Sequence, residues 1–572
     1  ETTSFPRSAT QPAASNQGPR VIVIGLDGAP WSLIDPLLDQ NRLPTLARLI
    51  GGGTRAALRS CIQPSSEQAW SAFATGMQNG KFGLYGFYQR AAGSYSLEYI
   101  NASHRRAPTL WRLLSDRGKR SIVVNVPLTW PVERIQGALI SGLMTPGPGS
   151  DYTWPRELKD ELGEYIIDVD IERGDLGSDD AALAGLVAQV KRMSELQTRA
   201  TLSLMQRVPD WNFLTLVHRA PDILCHKFWR YQDASHPLYN AAEAAKWGGV
   251  IADAFEYLDR QLGEILTAAM DERTTVLVIS DHGFGPLTHA VYLNKYFAQR
   301  GLLAYRAKGG SPLGAAMRAG VRRLNNPLVH AVKQRAFEIL PGLKGDLHYS
   351  MAYGNIDWSR TRAYAVGTMG NIYLNLRGRE PHGAVEPGEY ESTRDDVIAA
   401  MRALSDPETG RSIFDAVYCR EEIYQGPALK EAPDVVGLID GPYHVAAVDW
   451  RGEGAGRQVV QKLTGGQLLF VSDTSGQHRM DGILAAAGPA VRAGARFEQP
   501  PRLIDVAPTI LQILGEPVPS DMDGRVLIEM LSQAGAVEFS SPEQGEKEAS
   551  GAYTKEEARA IEERLAGLGY LG

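Results

Sequence analysis

Three short β-branched runs each break off at a turn carrying an acid or a histidine. Residues 20–25 (RVIVIG) precede Leu26-Asp27-Gly28, residues 213–217 (FLTLV) precede His218-Arg219-Ala220-Pro221-Asp222, and residues 274–279 (TTVLVI) precede Ser280-Asp281-His282-Gly283. A fourth run of the same character, SIVVNV, occupies 121–126. Between them lie amphipathic segments such as 43–50 and 107–116. Continuous apolar runs alternating with helix-period segments are the pattern of a largely parallel sheet covered by helices on both faces, so an α/β fold is expected. In such sheets ligands sit beyond the carboxyl ends of the strands. That rule directs attention to Asp27, Asp222, Asp281 and His282.

The chain is 572 residues long, room for a large buried core and, at ~150 residues per unit, for more than one structural unit. Residues 1–19 are rich in Ser, Thr, Ala, Pro and Gln and read as a flexible tether. Residues 20–289 form the first part of the core, with a helical insertion at about 155–208 that is expected to cap the sheet's active edge. A second cap, helical and basic, covers 290–360. Strand-like runs at 364–376, 434–439, 467–471 and 482–487 return 361–531 to the core, closed by a helix-prone stretch at 503–514. A polar linker and a charged helix at 556–565, ending in Leu568, Tyr570 and Leu571, complete 532–572.

Composition excludes several function classes. Lys and Arg number 59 against 66 Asp and Glu, a net charge of −7 with no long basic tract, so polymeric nucleic acid is not an expected partner. No run approaches the ~18 consecutive apolar residues of a membrane-spanning helix. Cys61, Cys225 and Cys419 are too scattered for a disulfide framework or a thiolate zinc cluster. A start at Glu1 followed by a tether-like segment fits a mature exported protein, periplasmic or extracellular, with a cytoplasmic protein as the alternative.

Asp281 and His282 are adjacent in one loop and reach a common point, with Gly283 giving the backbone room to turn. Asp222 and His226 stand at i, i+4, one face of a helix. With Asp27 and His478, which also stand at strand-to-loop transitions, these make three carboxylates and three imidazoles. That mixed N/O set suits two borderline-soft divalent ions, zinc first and manganese second, in a catalytic rather than a structural site. The segment Pro64-Ser65-Ser66-Glu67-Gln68-Ala69-Trp70 offers a hydroxyl at a helix start to the same cleft.

The strings GLDGAPWSLIDPL, PSSEQAWSAFATG, PDILCHKFW, SDHGFG and SGQHRMDGILAAAGP, in that order over about residues 20–530, resemble the alkaline phosphatase superfamily, in particular its type I phosphodiesterase/nucleotide pyrophosphatase branch. DGRVL and the terminal ERLAGLGYLG are also similar to bacterial and archaeal members. The resemblance implies an alkaline-phosphatase-like fold. It implies that Asp27, Asp281 and His282 share one metal with the nucleophile, and that Asp222, His226 and His478 hold the other. The implied nucleophile is Ser66, four residues before Trp70, with Ser65 as the alternative. The implied reaction is hydrolysis of a small phosphodiester or pyrophosphate through a phosphoserine intermediate.

Departures from the family pattern bear on substrate. Residues 75–87 read TGMQNGKFGLYGF, with Phe82 in place of a His, Gly86 in place of an Asp, and no phosphate-binding Asn near Gly86 and Phe87. Lys81, Phe87 and Trp229 are the candidate substrate contacts. Cys61-Ile62-Gln63-Pro64-Ser65 lacks the spacing and the Arg of a sulfatase signature. The rival readings are an alkaline-phosphatase-like phosphomonoesterase, a phosphotransferase or mutase, and a non-catalytic binding protein on a retained fold. His218, Arg219 and His289 are read as surface or capping groups, Phe228 and Tyr231 as packing, Cys225 as buried filler, and the basic 317–335 stretch as a solvated helix face.

Overall fold

The computed structural model describes residues 18–91, 93–169, 180–306, 353–446, 458–463, 474–533, 535–543, 551–568 and 570. The expected tether up to residue 17, the basic 317–335 stretch and the 467–471 run lie outside them.

An eight-stranded sheet runs through the molecule in the order Thr54–Arg59, Asp481–Ala487, Thr274–Ile279, Arg20–Leu26, Phe213–His218, Ser121–Val124, Gly137–Ile140, Thr153–Trp154. The middle strands, from Thr274–Ile279 to Gly137–Ile140, are parallel, and both edges are closed by antiparallel pairs. Alternate side chains of one strand enter opposite cores: Ile22 and Ile24 pack with the Trp31–Asp39, Asp180–Arg207 and Val250–Ala269 helices, whereas Val21 and Val23 pack with Ser66–Thr75, Leu110–Asp116 and Val506–Ile513. Burial on both faces is why these strands read as unbroken apolar runs.

Two expectations change. Of the described residues in 155–208, Leu158–Leu162 and Asp180–Arg207 are helical, but the long helix Asp180–Arg207 packs on a face of the central sheet through Val190, Met193 and Leu204, in place of the expected cap. The runs at 364–376 and 434–439 do not rejoin the central sheet. Ala363–Val366, Gly370–Leu374, Val435–Leu438 and Ala416–Cys419 form their own antiparallel four-stranded sheet over a separate core containing Ile372, Leu374, Val397 and Phe414. Asp481–Ala487 alone of the described late runs enters the main sheet. No described helix is long and apolar enough to cross a membrane.

The Lys555–Leu568 helix buries Ile561, Leu565 and Leu568 in the main core, and Arg564 Nη1 donates to the Thr145 carbonyl at 2.6 Å. The C-terminal stretch is thereby held beside the carboxyl ends of the parallel strands.

Candidate metal centre

Three of the parallel strands, Arg20–Leu26, Phe213–His218 and Thr274–Ile279, lead to one point. Asp27 follows Arg20–Leu26 directly, and its N–H donates to the His218 carbonyl at 3.0 Å, which anchors the turn to the neighbouring strand. Gly28 then takes φ +70, where a Cβ would lie 2.9 Å from Phe284 Cδ2 and 3.2 Å from Asp222 Cα. Only glycine fits that turn. Its N–H donates to Asp281 Oδ1 at 3.2 Å, tying the first strand's loop to the third's.

The Ala220–Gln232 helix begins just after Phe213–His218 and carries Asp222 and His226 one turn apart. His478 arrives from far along the chain on a two-stranded ribbon, Gly476–Arg479 against Gly283–Pro286, in which it faces Phe284 across the pair. The His282 and His478 rings stack with centroids 3.7 Å apart. Ser66 opens the Ser66–Thr75 helix, its Oγ 3.3 Å from both Asp27 Oδ1 and His282 Nε2. All seven expected site residues therefore converge, and each is at most 3% exposed.

The histidines are aimed. His226 Nδ1 lies 3.0 Å from the Gly476 carbonyl, His282 Nδ1 3.0 Å from that of Gly283, and His478 Nδ1 2.8 Å from that of Pro64. A carbonyl accepts only from N–H, so each Nδ1 carries the proton and each Nε2 turns a lone pair inward. Burial lowers the pKa of all three, to about 4 for His282 and His478, and keeps them neutral. His226 Nε2 and His478 Nε2 then meet at 2.9 Å, with Asp222 Oδ1 3.4 Å and 3.1 Å away. On the other side, His282 Nε2 lies 3.3 Å from Asp281 Oδ2 and 3.5 Å from Asp27 Oδ1. Two ligand-competent groups result, Asp27 with Asp281 and His282, and Asp222 with His282 and His478, so His282 adjoins both. Two facing imidazole lone pairs repel unless a cation lies between them, and backbone-anchored second nitrogens are the usual setting of metal-bound histidine. The donor set fits divalent cations.

Charge points the same way. Asp27, Asp168 and Asp222 are buried around the fully buried guanidinium of Arg219, and Asp281 is buried beside Asp27 without reaching that guanidinium. Burial first, then the Asp281 and Asp222 carboxylates, push Asp27 well above the usual carboxylate range, and Asp281 is raised by burial and by Asp222. Asp222 goes the other way: burial opposes ionisation, but the charged Arg219 guanidinium, which donates to its Oδ2 at 3.0 Å, holds it low. Carboxylates this close and this dry need further positive charge or protons.

Sequence reasoning misplaced or missed several neighbours. Arg219 and His218 are not surface groups: both are buried, and Arg219 bonds Asp168, Asp222 at 3.0 Å and the Tyr570 hydroxyl at 2.8 Å, with Asp27 3.7 Å from its Nε. The Trp70 indole donates to Asp27 Oδ2 at 3.0 Å. Tyr570 carries no sequence signal beyond its place after the charged C-terminal helix. Ser65, the alternative nucleophile, donates to Glu67, whose carboxyl burial raises to about 7. Among the candidate substrate contacts, Lys81 is committed to Asp523 and the Asp521 carbonyl, both at 2.6 Å. Phe87 packs on Tyr570 and Trp229 on Phe284, with ring centroids 4.8 Å and 6.1 Å apart. Cys225 is fully buried, as expected, and His289 sits in a separate three-stranded sheet.

Among solved structures the chain is similar to phosphonoacetate hydrolase from Sinorhizobium meliloti 1021. The complex with phosphonoacetate matches at TM-score 0.51 and the complex with phosphonoformate at 0.52, each at 16% identity over 87% of this chain and 96% of that one. Human ectonucleotide pyrophosphatase/phosphodiesterase 5 aligns at 12% identity and TM-score 0.48 over 90% of this chain and 100% of its own. No curated protein sequence matches at a significant level. The fold is alkaline-phosphatase-like, a mixed α/β architecture on a largely parallel sheet. The family model described as type I phosphodiesterase/nucleotide pyrophosphatase matches residues 21–466, which takes in Asp27, Ser66, Asp222, His226, Asp281 and His282 and stops short of His478 and Tyr570. With more than half of its length matched, the chain belongs to the type I phosphodiesterase/nucleotide pyrophosphatase family.

Proposed function

We propose that the protein hydrolyses phosphodiester or pyrophosphate bonds at a two-cation centre, with Ser66 as the nucleophile. The observation that carries this reading is the convergence of three inward-facing Nε2 atoms and three aspartates, with the buried Ser66 hydroxyl 3.3 Å from Asp27 and His282. Asp27, Asp281, His282 and Ser66 would hold one cation, and Asp222, His226 and His478 the other. Divalent ions held there, zinc first, would supply Lewis-acid stabilisation to the oxygens of an in-line displacement. Ser66 Oγ attacks phosphorus as the bond to the leaving ester oxygen breaks, its proton passing through solvent to the departing alcohol, and water then cleaves the covalent serine phosphoester and returns a proton to Ser66. Asp27 and His282 orient the hydroxyl, and the N-terminus of the Ser66–Thr75 helix turns its dipole toward the negative charge of the phosphoryl group.

Diester preference has its own support. A monoester leaves two charged oxygens to be met by a mobile cationic side chain. Lys81 is tied to Asp523, and Arg219 is shared among Asp27, Asp168 and Asp222. What flanks the centre instead is aromatic: Phe284, Tyr570 and, behind Tyr570, Phe87.

The test is initial rates on bis-p-nitrophenyl phosphate and p-nitrophenyl phosphate, with chelator-stripped protein and after addition of zinc or manganese. A metal-restored rate with diester preference is expected, lost in Ser66→Ala while bound metal is retained. Monoester preference would select the phosphatase alternative, and full activity of Ser66→Ala would move the nucleophile to Ser65 or to water.

A further inference from the structure

Tyr570 lies beyond the end of the Lys555–Leu568 helix, 348 positions from Asp222, yet it is buried among site residues. Its ring packs on Phe87 at a centroid distance of 4.8 Å, and edge-on to His226 at 5.5 Å and His478 at 6.0 Å. Its hydroxyl donates to Asp222 Oδ2 and accepts from Arg219 Nη2 at 2.8 Å. The same Nη2 donates to Asp222 Oδ2 at 3.0 Å, which closes a three-membered ring of hydrogen bonds. Oδ2 is thus spoken for twice, and Oδ1 is the oxygen that faces His478 and His226.

We infer that Tyr570 is a positioning residue of the metal centre: its phenol holds Asp222 in the orientation that offers Oδ1 to a cation shared with His226 and His478. The inference rests on the two-cation reading above. An aspartate's terminal torsion is broad and nearly two-fold, so packing alone does not choose which oxygen faces inward. Two donors on one oxygen make that choice. Arg219 is a weak candidate to make it alone, because its guanidinium also serves Asp168 and lies near Asp27.

The phenol is itself well held. The Tyr570 N–H donates to the Leu565 carbonyl at 2.9 Å, Arg564 Nη1 to Thr145 O at 2.6 Å, and the Tyr553 hydroxyl to Met144 O at 2.6 Å, so the helix that leads to the tyrosine is fastened at both its ends. Groups that support a first ligand from behind change metal affinity by ~10–100-fold when removed. Because Tyr570 touches Asp222 and none of Asp27, Asp281 and His282 by hydrogen bond, the effect should fall on one cation only.

The test is Tyr570→Phe in the full chain, which keeps the ring and removes the hydroxyl. Chelator-stripped wild type and variant are titrated with zinc by calorimetry, and with cobalt(II) by its visible d–d absorption. Wild type is expected to bind two zinc ions per chain. The variant is expected to lose about 10–100-fold in affinity at one site, keep the other, and change the cobalt spectrum of the weakened site alone, with its urea midpoint little altered. Two unchanged affinities, or an equal fall at both, would overturn the positioning role while leaving the two-cation reading in place. Fewer than two zinc ions on the wild type would overturn that reading and the inference with it.

Discussion

The Trp70 indole reaches from the Ser66–Thr75 helix to Asp27 Oδ2 at 3.0 Å, so the helix that presents the Ser66 hydroxyl also holds the carboxylate beside it. The proposed nucleophile and a proposed metal ligand are thus oriented by one rigid element. Both Trp70 and Asp27 are fully buried, and a hydrogen bond to a buried charged group contributes more than a neutral one.

Trp70→Phe keeps most of the ring volume and removes the donor. Loss of a hydrogen bond to a carboxylate is worth about 1.5–3 kcal/mol, so kcat/KM of the metal-replete enzyme is expected to fall by roughly 10–100-fold. Steady-state kinetics on bis-p-nitrophenyl phosphate checks this. A change below about twofold would show that the indole only packs.

Behind Trp70 lies Gly25, where an added Cβ would sit 2.4 Å from Trp70 Cη2 and 3.0 Å from Val217 Cγ2. Neither the indole nor the central strand has room to give way. Gly25→Ala is expected to destabilise the protein by about 1–3 kcal/mol, the usual cost of overpacking, and to reduce activity by displacing the indole. Urea unfolding measures the first effect, and an unchanged midpoint would mean that Trp70 can move freely.

Lys81 is expected to be silent in catalysis. Its ammonium sits on Asp523 and the Asp521 carbonyl, and the Lys81 and Asp523 side chains are each about a quarter exposed. Lys81→Met should leave kcat/KM within about twofold and cost no more than ~1 kcal/mol of stability, as a partly exposed pair does. A loss of tenfold or more in kcat/KM would return Lys81 to the substrate site.

His218 makes stability depend on pH. Its two ring nitrogens find no hydrogen-bond partner, and burial lowers its pKa from 6.5 to about 3. Between those values the unfolded chain binds the proton and the folded chain does not. The His218 contribution is therefore complete above pH ~6.5 and is lost as pH falls toward 3. His218→Gln removes this dependence. In chelator, the stability difference between wild type and variant is expected to shift against the wild type by on the order of 3 kcal/mol from pH 7 to pH 4. Urea unfolding at both pH values gives the answer, and a difference that does not vary with pH would rule the assignment out.

What the sequence determined by itself was the local part of the design. Asp27, Asp281 and His282 are legible because a buried strand and the turn after it are contiguous in the chain, and Asp222 with His226 because a helix repeats its face every few residues. The α/β class followed from the same local periodicities. Tertiary structure alone decided which strands share a sheet: the unbroken apolar runs Ala363–Val366 and Val435–Leu438 tell that a strand is buried, not which neighbour it pairs with, and these strands built a second sheet. It also decided the supports of the centre. Arg219 meets Asp168 across 51 positions and Tyr570 across 351, and Tyr570 meets Asp222 across 348. An arginine beside a strand end and a tyrosine near the tail carry no local mark of such partners, because a buried charge is made tolerable by whatever the folded chain brings within a few ångströms, at any distance along the sequence.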